Sequence, residues 1–335
     1  MAVVLPAAET DRMTRTLVDH FQRGFPLVSR PFAEIAAQLA SDEATVIARL
    51  AALAASGAVS RVGAVVRPHT AGASTLAALA APPAEIEAVA AKVSAFAGVN
   101  HNYERENTYN LWFVVTGRTQ ADVDTTLAGI EAATGLAVLN LPLEKSYHID
   151  LGFALFGERP KMVDFARPAG AASPEDRQLL AAIEHGLPLV ARPYAAVAAA
   201  LGSTEQAVIA RLDRMITAGI ISRFGVVVRH RAFGYTANAM AVWDIADAEV
   251  DAIAEVFARE AGVTLCYRRP RRLPGWRFNL FTMIHGKERA GAEATIAHLA
   301  ALAGSALAAR DTLFSTRCFK QRGAVFSRQE QGDAA

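Results

Sequence analysis

The 335-residue sequence predicts an α+β protein made by tandem duplication, in which each copy is a winged helix-turn-helix followed by a ferredoxin-like βαββαβ domain. Two observations predict the duplication. The segment GAVSRVGAVVR at residues 57–67 returns as GIISRFGVVVR at residues 219–229, which is 162 positions later. The same offset relates VIARL at residues 46–50 to VIARL at residues 208–212. A period this long indicates a duplicated domain and not a solenoid of short repeats.

The repeat and the linker composition divide the chain into two copies. Residues 157–174 contain three prolines and the stretch AGAAS, which is typical of a linker. The predicted boundaries are residues 1–156 for copy one (helix-turn-helix 14–67, ferredoxin-like 68–156), 157–174 for the linker, and 175–335 for copy two (helix-turn-helix 175–229, ferredoxin-like 230–326, tail 327–335).

Helical and strand periodicities alternate within each copy. In copy one we expect helices at residues 16–22, 31–40 and 44–55, with Pro31 in a first turn and Ser41 as an N-cap. Gly57 ends the third helix, and residues 59–67 form the wing strand. The second half predicts, in order, strand 74–81, helix 83–97, strands 99–105 and 109–116, helix 120–134 and strand 136–143, and copy two repeats this order.

Composition excludes several classes of protein. The 34 Lys and Arg against 33 Asp and Glu give a net charge of +1, which argues against a protein that coats a polyanion. No apolar run approaches the roughly 18 residues that would span a bilayer, and the N-terminus lacks the features of a secretory signal. With Cys266 and Cys318 as its two cysteines, the chain has neither a disulfide framework nor an all-cysteine metal site. We expect no membrane association and a cytoplasmic location.

The candidate DNA-reading helices carry few cations. Residues 41–53 offer Arg49 alone and open with acidic residues, and residues 203–215 balance Arg211 and Arg214 with acids. Because affinity for DNA depends largely on cations, these segments favour a scaffold or dimerising element over a DNA-binding role.

Polar and aromatic residues concentrate in the central hairpin of each copy. Strand periodicity places His101, Tyr103 and Arg105 on one face, which suits an anionic substrate; the alternative is a packed tyrosine beside a solvated arginine. Copy two keeps Tyr267 and Arg269, whereas Leu265 replaces the histidine.

The copy-two hairpin also carries a dense group of arginines. Besides Arg269, it contains Arg268, Arg271, Arg272 and Arg277, and clustered guanidinium groups predict bound carboxylate or phosphate. The alternative is a basic loop that touches nucleic acid.

Basic residues recur in the wings and in the last strands. Arg61 and Arg67 match Arg223 and Arg229, with His69 and His230 close behind, and either anion binding or wing structure explains them. The last strands of the two copies repeat a basic–aromatic pattern as Lys145-Ser146-Tyr147-His148 and Arg317-Cys318-Phe319-Lys320.

Three motifs resemble those of the siroheme decarboxylases, which are relatives of the Lrp/AsnC regulators. They are HNYERENTYNLWFVV at residues 101–115, CYRRPRRLPGWRFNLFTMIHGKER at 266–289 and FSTRCFKQRGAVF at 314–326. Copy one resembles the D-type subunit of the family and copy two the L-type subunit. The resemblance covers nearly the whole chain and implies an AsnC/Lrp-like ligand-binding fold for each ferredoxin-like half.

The resemblance implies a reaction and its partners. Carbon dioxide would be lost without oxidation from the C12 and C18 acetates of siroheme, giving 12,18-didecarboxysiroheme in heme d1 biosynthesis. No added cofactor is required, and the iron enters with the substrate. A homodimer and contacts with other heme d1 pathway enzymes are the further partners that it implies.

The resemblance also implies residue roles. His101 would donate a proton with Tyr103 or Tyr109 assisting, His148 is a second donor candidate, and His101 could instead contact the siroheme iron. Asn107 stands where many relatives have histidine. The residues expected to bind substrate are Arg61, Arg67, Arg105, Asn110, Lys145, Arg223, Arg229, Tyr267, Arg269, Arg271, Arg272 and Lys320. The alternatives are an Lrp/AsnC-like DNA-binding transcriptional regulator and a carrier that holds siroheme or heme without turnover.

Overall fold

A computed structural model describes residues 10–149, 152, 155–156 and 169–323. Most of the expected linker, residues 157–168, and the expected tail, residues 327–335, therefore lie outside the described residues. Within the described ranges, no helix is long and apolar enough to cross a membrane.

Each copy begins with three helices and a wing strand, as the periodicity predicts. The third helix of copy one is capped by Asp42, whose carboxylate accepts from the Thr45 backbone N–H at 2.8 Å, and not by Ser41. Gly57 follows this helix with a φ of +77°, a conformation that favours glycine. The elements are α1 (Arg12–Asp19), α2 (Pro31–Gln38), α3 (Glu43–Ala55) and β1 (Val59–Val66) in copy one, and α6 (Pro174–Ala182), α7 (Pro193–Ala200), α8 (Glu205–Thr217) and β7 (Ile221–Val228) in copy two.

The two wing strands pair with each other. β1 and β7 form a two-stranded antiparallel ribbon in which Gly63 lies opposite Gly225. These glycines are 162 positions apart, so the ribbon is centred on a pseudo-two-fold axis that relates the two copies. The helices of both copies also share one hydrophobic core, which includes Leu17, Phe32, Tyr194 and Leu212. The two helix-turn-helix units are therefore a single folded body.

The cations of the third helices bind acids of the same chain. Arg49 contacts Asp11 and donates to the Thr14 hydroxyl at 2.8 Å, while Arg211 and Arg214 both contact the fully buried Asp176. These contacts leave fewer free cations for phosphate groups, although the expectation that the chain does not bind DNA stays a prediction.

The ferredoxin-like halves join in one nine-stranded sheet of order β5-β2-β4-β3-β11-β8-β10-β9-β6. The predicted strand at 99–105 and helix at 120–134 are confirmed, whereas the strand predicted at 136–143 is shorter, and the separate strand β6 follows it. The elements are β2 (Ala73–Leu79), α4 (Ile86–Ala95), β3 (Val99–Arg105), β4 (Leu111–Gly117), α5 (Gln120–Thr134), β5 (Leu139–Pro142) and β6 (Lys145–Ile149), followed by β8 (Ala237–Ile245), α9 (Val250–Arg259), β9 (Val263–Arg268), β10 (Leu280–Gly286), α10 (Arg289–Ala303) and β11 (Leu307–Gln321).

The copies exchange their last strands. β6 of copy one pairs with β9 of copy two, and the second half of β11 pairs with β3 of copy one. The end strands of the sheet, β5 and β6, are separated in sequence by residues 143–144 alone, so the two ends of the sheet meet. The inner faces of the two halves therefore pack against each other, and the helices cover the outer faces.

Candidate active site

A cavity of about 440 Å³ lies between the wing ribbon and the inner face of the sheet. Both copies line it. Trp112 also belongs to the aromatic core that fills the rest of the sheet interior, so this core forms one side of the cavity. Because the copies share one sheet, a ligand in this space contacts residues from both halves of the chain.

The cavity wall is strongly basic. Among the described residues, no Asp or Glu lines it, although the whole chain is nearly neutral. Seven arginines and four histidines line it: Arg61, Arg67, Arg105, Arg223, Arg229, Arg269 and Arg322, with His69, His101, His230 and His285. So many cations without an acid repel one another, and a bound polyanion would offset that repulsion.

Three of these arginines keep donors for a ligand. Arg61, Arg105 and Arg269 make no ion pair with any carboxylate of the described chain. They donate to the backbone oxygens of Ala64, Leu313 and Leu141, and Arg269 also has a side-chain hydrogen bond with Tyr267. The Nε atoms of Arg61 and Arg269 are buried and have no hydrogen-bond partner there. Burial lowers the pKa of all three guanidinium groups, that of Arg105 to about 10.

His101 lies on β3 beside the basic wall. Burial and the charge of Arg61 lower its pKa to about 4, so the imidazole is neutral at pH 7 when the cavity is empty. Its ring stacks on Tyr103 with centroids 6.3 Å apart. Burial raises the pKa of the Tyr103 phenol, which therefore keeps its proton.

Apolar side chains lie on one side of His101 in the sheet. It pairs with Val114 on β4, which pairs with Leu76 on β2, and both of these residues line the cavity. A carboxylate over this row would meet hydrocarbon on the β4 side of His101, while Gln321 of β11 pairs with His101 on its other side and Arg61 is close enough to lower its pKa.

Nine of the residues singled out in the sequence line this cavity. The register of β3 confirms that His101, Tyr103 and Arg105 share a face. The other six are Arg61, Arg67, Arg223, Arg229, Tyr267 and Arg269.

Seven residues singled out in the sequence lie outside the cavity. Four of them belong to copy one. Tyr109 packs edge-on against Trp276, and Asn110 bridges the backbone of Ala81 through both of its amide atoms. Lys145 forms an ion pair with Asp251 at 2.8 Å.

His148, the fourth residue of copy one, is held by a neighbouring strand, and Lys320 of copy two is held by the C-terminal end of α4. His148 is buried on β6 opposite Cys266. Lys320 donates to the carbonyls of Ser94 and Phe96 at 2.5 and 3.2 Å. These five side chains support the strand exchange and the hairpins.

The arginine-rich hairpin of copy two binds acids of its own chain. Arg271 donates to Asp244 at 2.7 Å and also contacts Asp247, and Arg277 donates to Asp244 at 2.7 Å. Arg272 donates to the Asn140 backbone oxygen at 3.0 Å. The expectation that an anion must neutralise this loop does not agree with these contacts, because the acids come from β8 and the turn after it.

Asn107 is a turn residue. Its amide donates to Asp311 at 2.8 Å and its carbonyl oxygen accepts from the Tyr109 N–H at 2.9 Å. The substitution of an expected histidine at this position therefore removes no group from the cavity.

Sequence reasoning missed one lining histidine, His285, and noted His69 and His230 only as neighbours of the wing arginines. Comparison of LWFVVTG at 111–117 with LFTMIHG at 280–286 would have shown that His285 replaces Thr116. No sequence pattern could have placed Arg322 in the cavity. It follows β11, and its position depends on the pairing of β11 with β3 of the other copy.

Within the described residues, no three His, Cys, Asp or Glu side chains form a group that could hold a metal ion. The basic wall and the neutral imidazole of His101 suit the cavity to bind a polycarboxylate and to move protons.

Comparisons with known proteins show which family this chain resembles. A model for the AsnC-like ligand binding domain matches residues 71–148 and 232–320, and one for the siroheme decarboxylase NirDL-like HTH domain matches 14–59 and 176–221. The siroheme decarboxylase NirDL subunit of Paracoccus denitrificans (strain Pd 1222) is 48% identical over 320 residues, covering 95% of this chain and 98% of that protein.

Solved structures give the same result. A crystal structure of the siroheme decarboxylase NirDL matches with a TM-score of 0.69 and 25% identity over 95% of both chains. A second, in co-complex with an iron-uroporphyrin III analogue, matches with a TM-score of 0.67 and 25% identity over 92% of both chains. On the sequence, the two domain models and the fold together, the chain belongs to the siroheme decarboxylase family.

Proposed function

We propose that this protein is a carboxy-lyase that removes carbon dioxide from the C12 and C18 acetates of siroheme, giving 12,18-didecarboxysiroheme. The observation that carries the proposal is the cavity wall, which has seven arginines and no described acid. Siroheme carries many carboxylates on a flat apolar macrocycle, and this wall offers both cations and hydrocarbon. The match to a NirDL structure in co-complex with an iron-uroporphyrin III analogue supports a tetrapyrrole as the ligand.

The arginines bind the carboxylates that do not react. Arg61, Arg105 and Arg269 are held by backbone carbonyls, so their remaining N–H groups are already directed when the substrate arrives. Charge-assisted hydrogen bonds to carboxylates are about twice as strong as neutral ones. These contacts orient the macrocycle within the cavity.

The reacting acetate needs a different environment. A guanidinium held against that carboxylate stabilises the ground state more than the transition state, in which the negative charge moves away from the oxygens. The apolar row of Leu76 and Val114 beside His101 meets this requirement. There the bond between the methylene carbon and the carboxyl carbon breaks, and carbon dioxide leaves. The electron pair stays on the methylene carbon and is delocalised into the macrocycle.

His101 supplies the proton that turns this methylene into a methyl group. In the empty cavity its pKa is about 4, and a bound polyanion raises it because the carboxylates offset the charge of Arg61. The substrate thereby promotes protonation of its own general acid, and Tyr103 positions the ring. The imidazole then regains a proton from solvent.

The test is a single-turnover reaction with siroheme under anaerobic conditions and no added cofactor. The wild-type product should be lighter than siroheme by two carbon dioxide units. The His101→Asn variant should still bind siroheme, but its product should keep at least one of the two carboxyl groups that the wild type removes. His298→Asn, an exposed substitution on α10, is the matched control and should behave as wild type. Bound but unchanged siroheme with the wild type would make the protein a carrier, and a fully active His101→Asn would remove this residue from the mechanism.

A further inference from the structure

A second imidazole group lies in the copy-two half of the cavity. His230 and His285 are 7% and 8% exposed, and their rings meet edge to face with centroids 4.6 Å apart. Both line the cavity, and the mechanism above uses neither of them.

The Thr264 hydroxyl contacts one of the two ring nitrogens of His285. The Thr264 hydroxyl donates to the Met283 backbone oxygen at 3.0 Å and lies 2.8 Å from Nδ1 of His285. A hydroxyl has one hydrogen, so with that hydrogen on Met283 its oxygen accepts from Nδ1–H. Nε2 is then the nitrogen of His285 that gains and loses a proton.

The pseudo-two-fold axis does not relate the position of His101 to that of His285. The position that matches His285 in copy one is Thr116, and the position that matches His101 in copy two is Leu265. Each half of the cavity therefore has a proton-carrying ring at a place where the other half has none.

The cations that face the two positions also differ. Arg61 faces His101, whereas Arg105 and Arg231 face the His285 position. Burial and these cations keep both imidazoles neutral in the empty cavity, so an anionic side chain would promote protonation at either place.

We propose that His285 is the general acid for one of the two acetates and His101 for the other, so that one bound siroheme is decarboxylated at two different places in one cavity. His230 is a positioning residue that fixes the ring of His285. In each step the carbon–carbon bond breaks, carbon dioxide leaves, and the methylene carbon takes a proton from the imidazolium, which solvent recharges. This inference rests on the proposed function.

The experiment compares the products of His101→Asn and His285→Asn after a single anaerobic turnover of siroheme. With each variant, siroheme should lose one carbon dioxide unit instead of two. NMR of the demetallated products should show that the two variants leave different acetates in place. The step that is left undone should be slowed about 100-fold or more, as expected for loss of a general acid. The double variant should leave siroheme intact, and His298→Asn should give the complete product.

Three results would overturn the inference: a complete product from His285→Asn, no product from His101→Asn, or the same regioisomer from both variants. A wild type that leaves siroheme intact would instead refute the proposed function. Thr264→Val keeps both histidines and removes the partner of Nδ1, so it should slow the His285-dependent step and spare the other. Equal slowing of both steps in this variant would also count against the assignment.

Discussion

Replacement of Arg105 by methionine should have opposite effects on stability and on substrate binding. Arg105 is 6% exposed, and its guanidinium faces no carboxylate in the described chain. Burial lowers its pKa from 12.5 to about 10, which corresponds to about 3 kcal/mol against the charged form in the empty protein. Arg105→Met removes this cost and also removes the hydrogen bond to the Leu313 carbonyl, which is worth about 1 to 3 kcal/mol. The free energy of unfolding without substrate should therefore stay the same or rise by up to about 2 kcal/mol.

The same substitution should weaken siroheme binding. One charge-assisted hydrogen bond contributes about 1.5–3 kcal/mol, so Kd should rise about 10- to 150-fold. The stabilisation that a fixed siroheme concentration provides should fall by the same free energy, because ligand linkage follows Kd. The assay is denaturant unfolding with and without siroheme, together with a spectroscopic titration.

Two control variants make this result specific. Arg259→Met, an exposed change on α9, should alter neither quantity. Arg272→Met removes a hairpin arginine that lies outside the cavity and should behave like Arg259→Met. If Arg105→Met unfolds much more easily and binds siroheme as tightly as the wild type, Arg105 is a structural residue and the reasoning fails.

Three further predictions follow from the buried imidazoles and the ribbon. The pKa values of His101 and His230 are about 4 in the folded chain against about 6.5 unfolded, so below pH 6.5 the unfolded state binds more protons. Stability should therefore fall as the pH drops from 6.5 towards 4, and His101→Asn should flatten this profile in urea titrations; an unchanged slope would contradict the assigned pKa. Substrate binding should take up protons at pH 7, which calorimetry in two buffers of different ionisation enthalpy measures as a buffer-dependent heat, and equal heats would argue against it. Gly225→Ala should destabilise the ribbon by about 1–3 kcal/mol because its Cβ would lie 2.2 Å from the Phe21 carbonyl oxygen, whereas the partner substitution Gly63→Ala meets nothing nearer than 3.5 Å and should be nearly neutral in thermal unfolding.

Most of the fold could be predicted from local sequence patterns. The helices, the wing strands and the hairpins follow from periodicity, capping and the repeat, and α5 (Gln120–Thr134) has the predicted bounds. The exchange of β6 and the second half of β11 could not be predicted in this way. A strand's own residues do not specify which of two equivalent edges it will join, and a duplicated chain offers both.

The candidate site was predictable where strand alternation decides the direction of a side chain. Tyr103 and Arg105 followed from this rule. The hairpin arginines did not, because their partner Asp244 lies on β8, some thirty positions away, and charge clustering alone does not show which acids come near. Comparison of the two hairpins would have shown His285, but its contact with His230 could not be predicted because the two residues belong to different elements.

Fusion of the two copies has a chemical consequence for this cavity. A symmetric dimer of identical chains presents the same residues at both equivalent positions. In the fused chain each position can change alone. In the repeat, His101 corresponds to Leu265 and His285 to Thr116, whereas the pair Tyr103–Arg105 is kept as Tyr267–Arg269. The conserved pairs suit the carboxylates around the whole rim of a tetrapyrrole, and the diverged positions distinguish acetates that occupy different places on a macrocycle without two-fold symmetry. Divergence therefore falls on the proton-carrying groups and spares the groups that hold charge, as expected if binding is shared by both halves and proton transfer is specific to each.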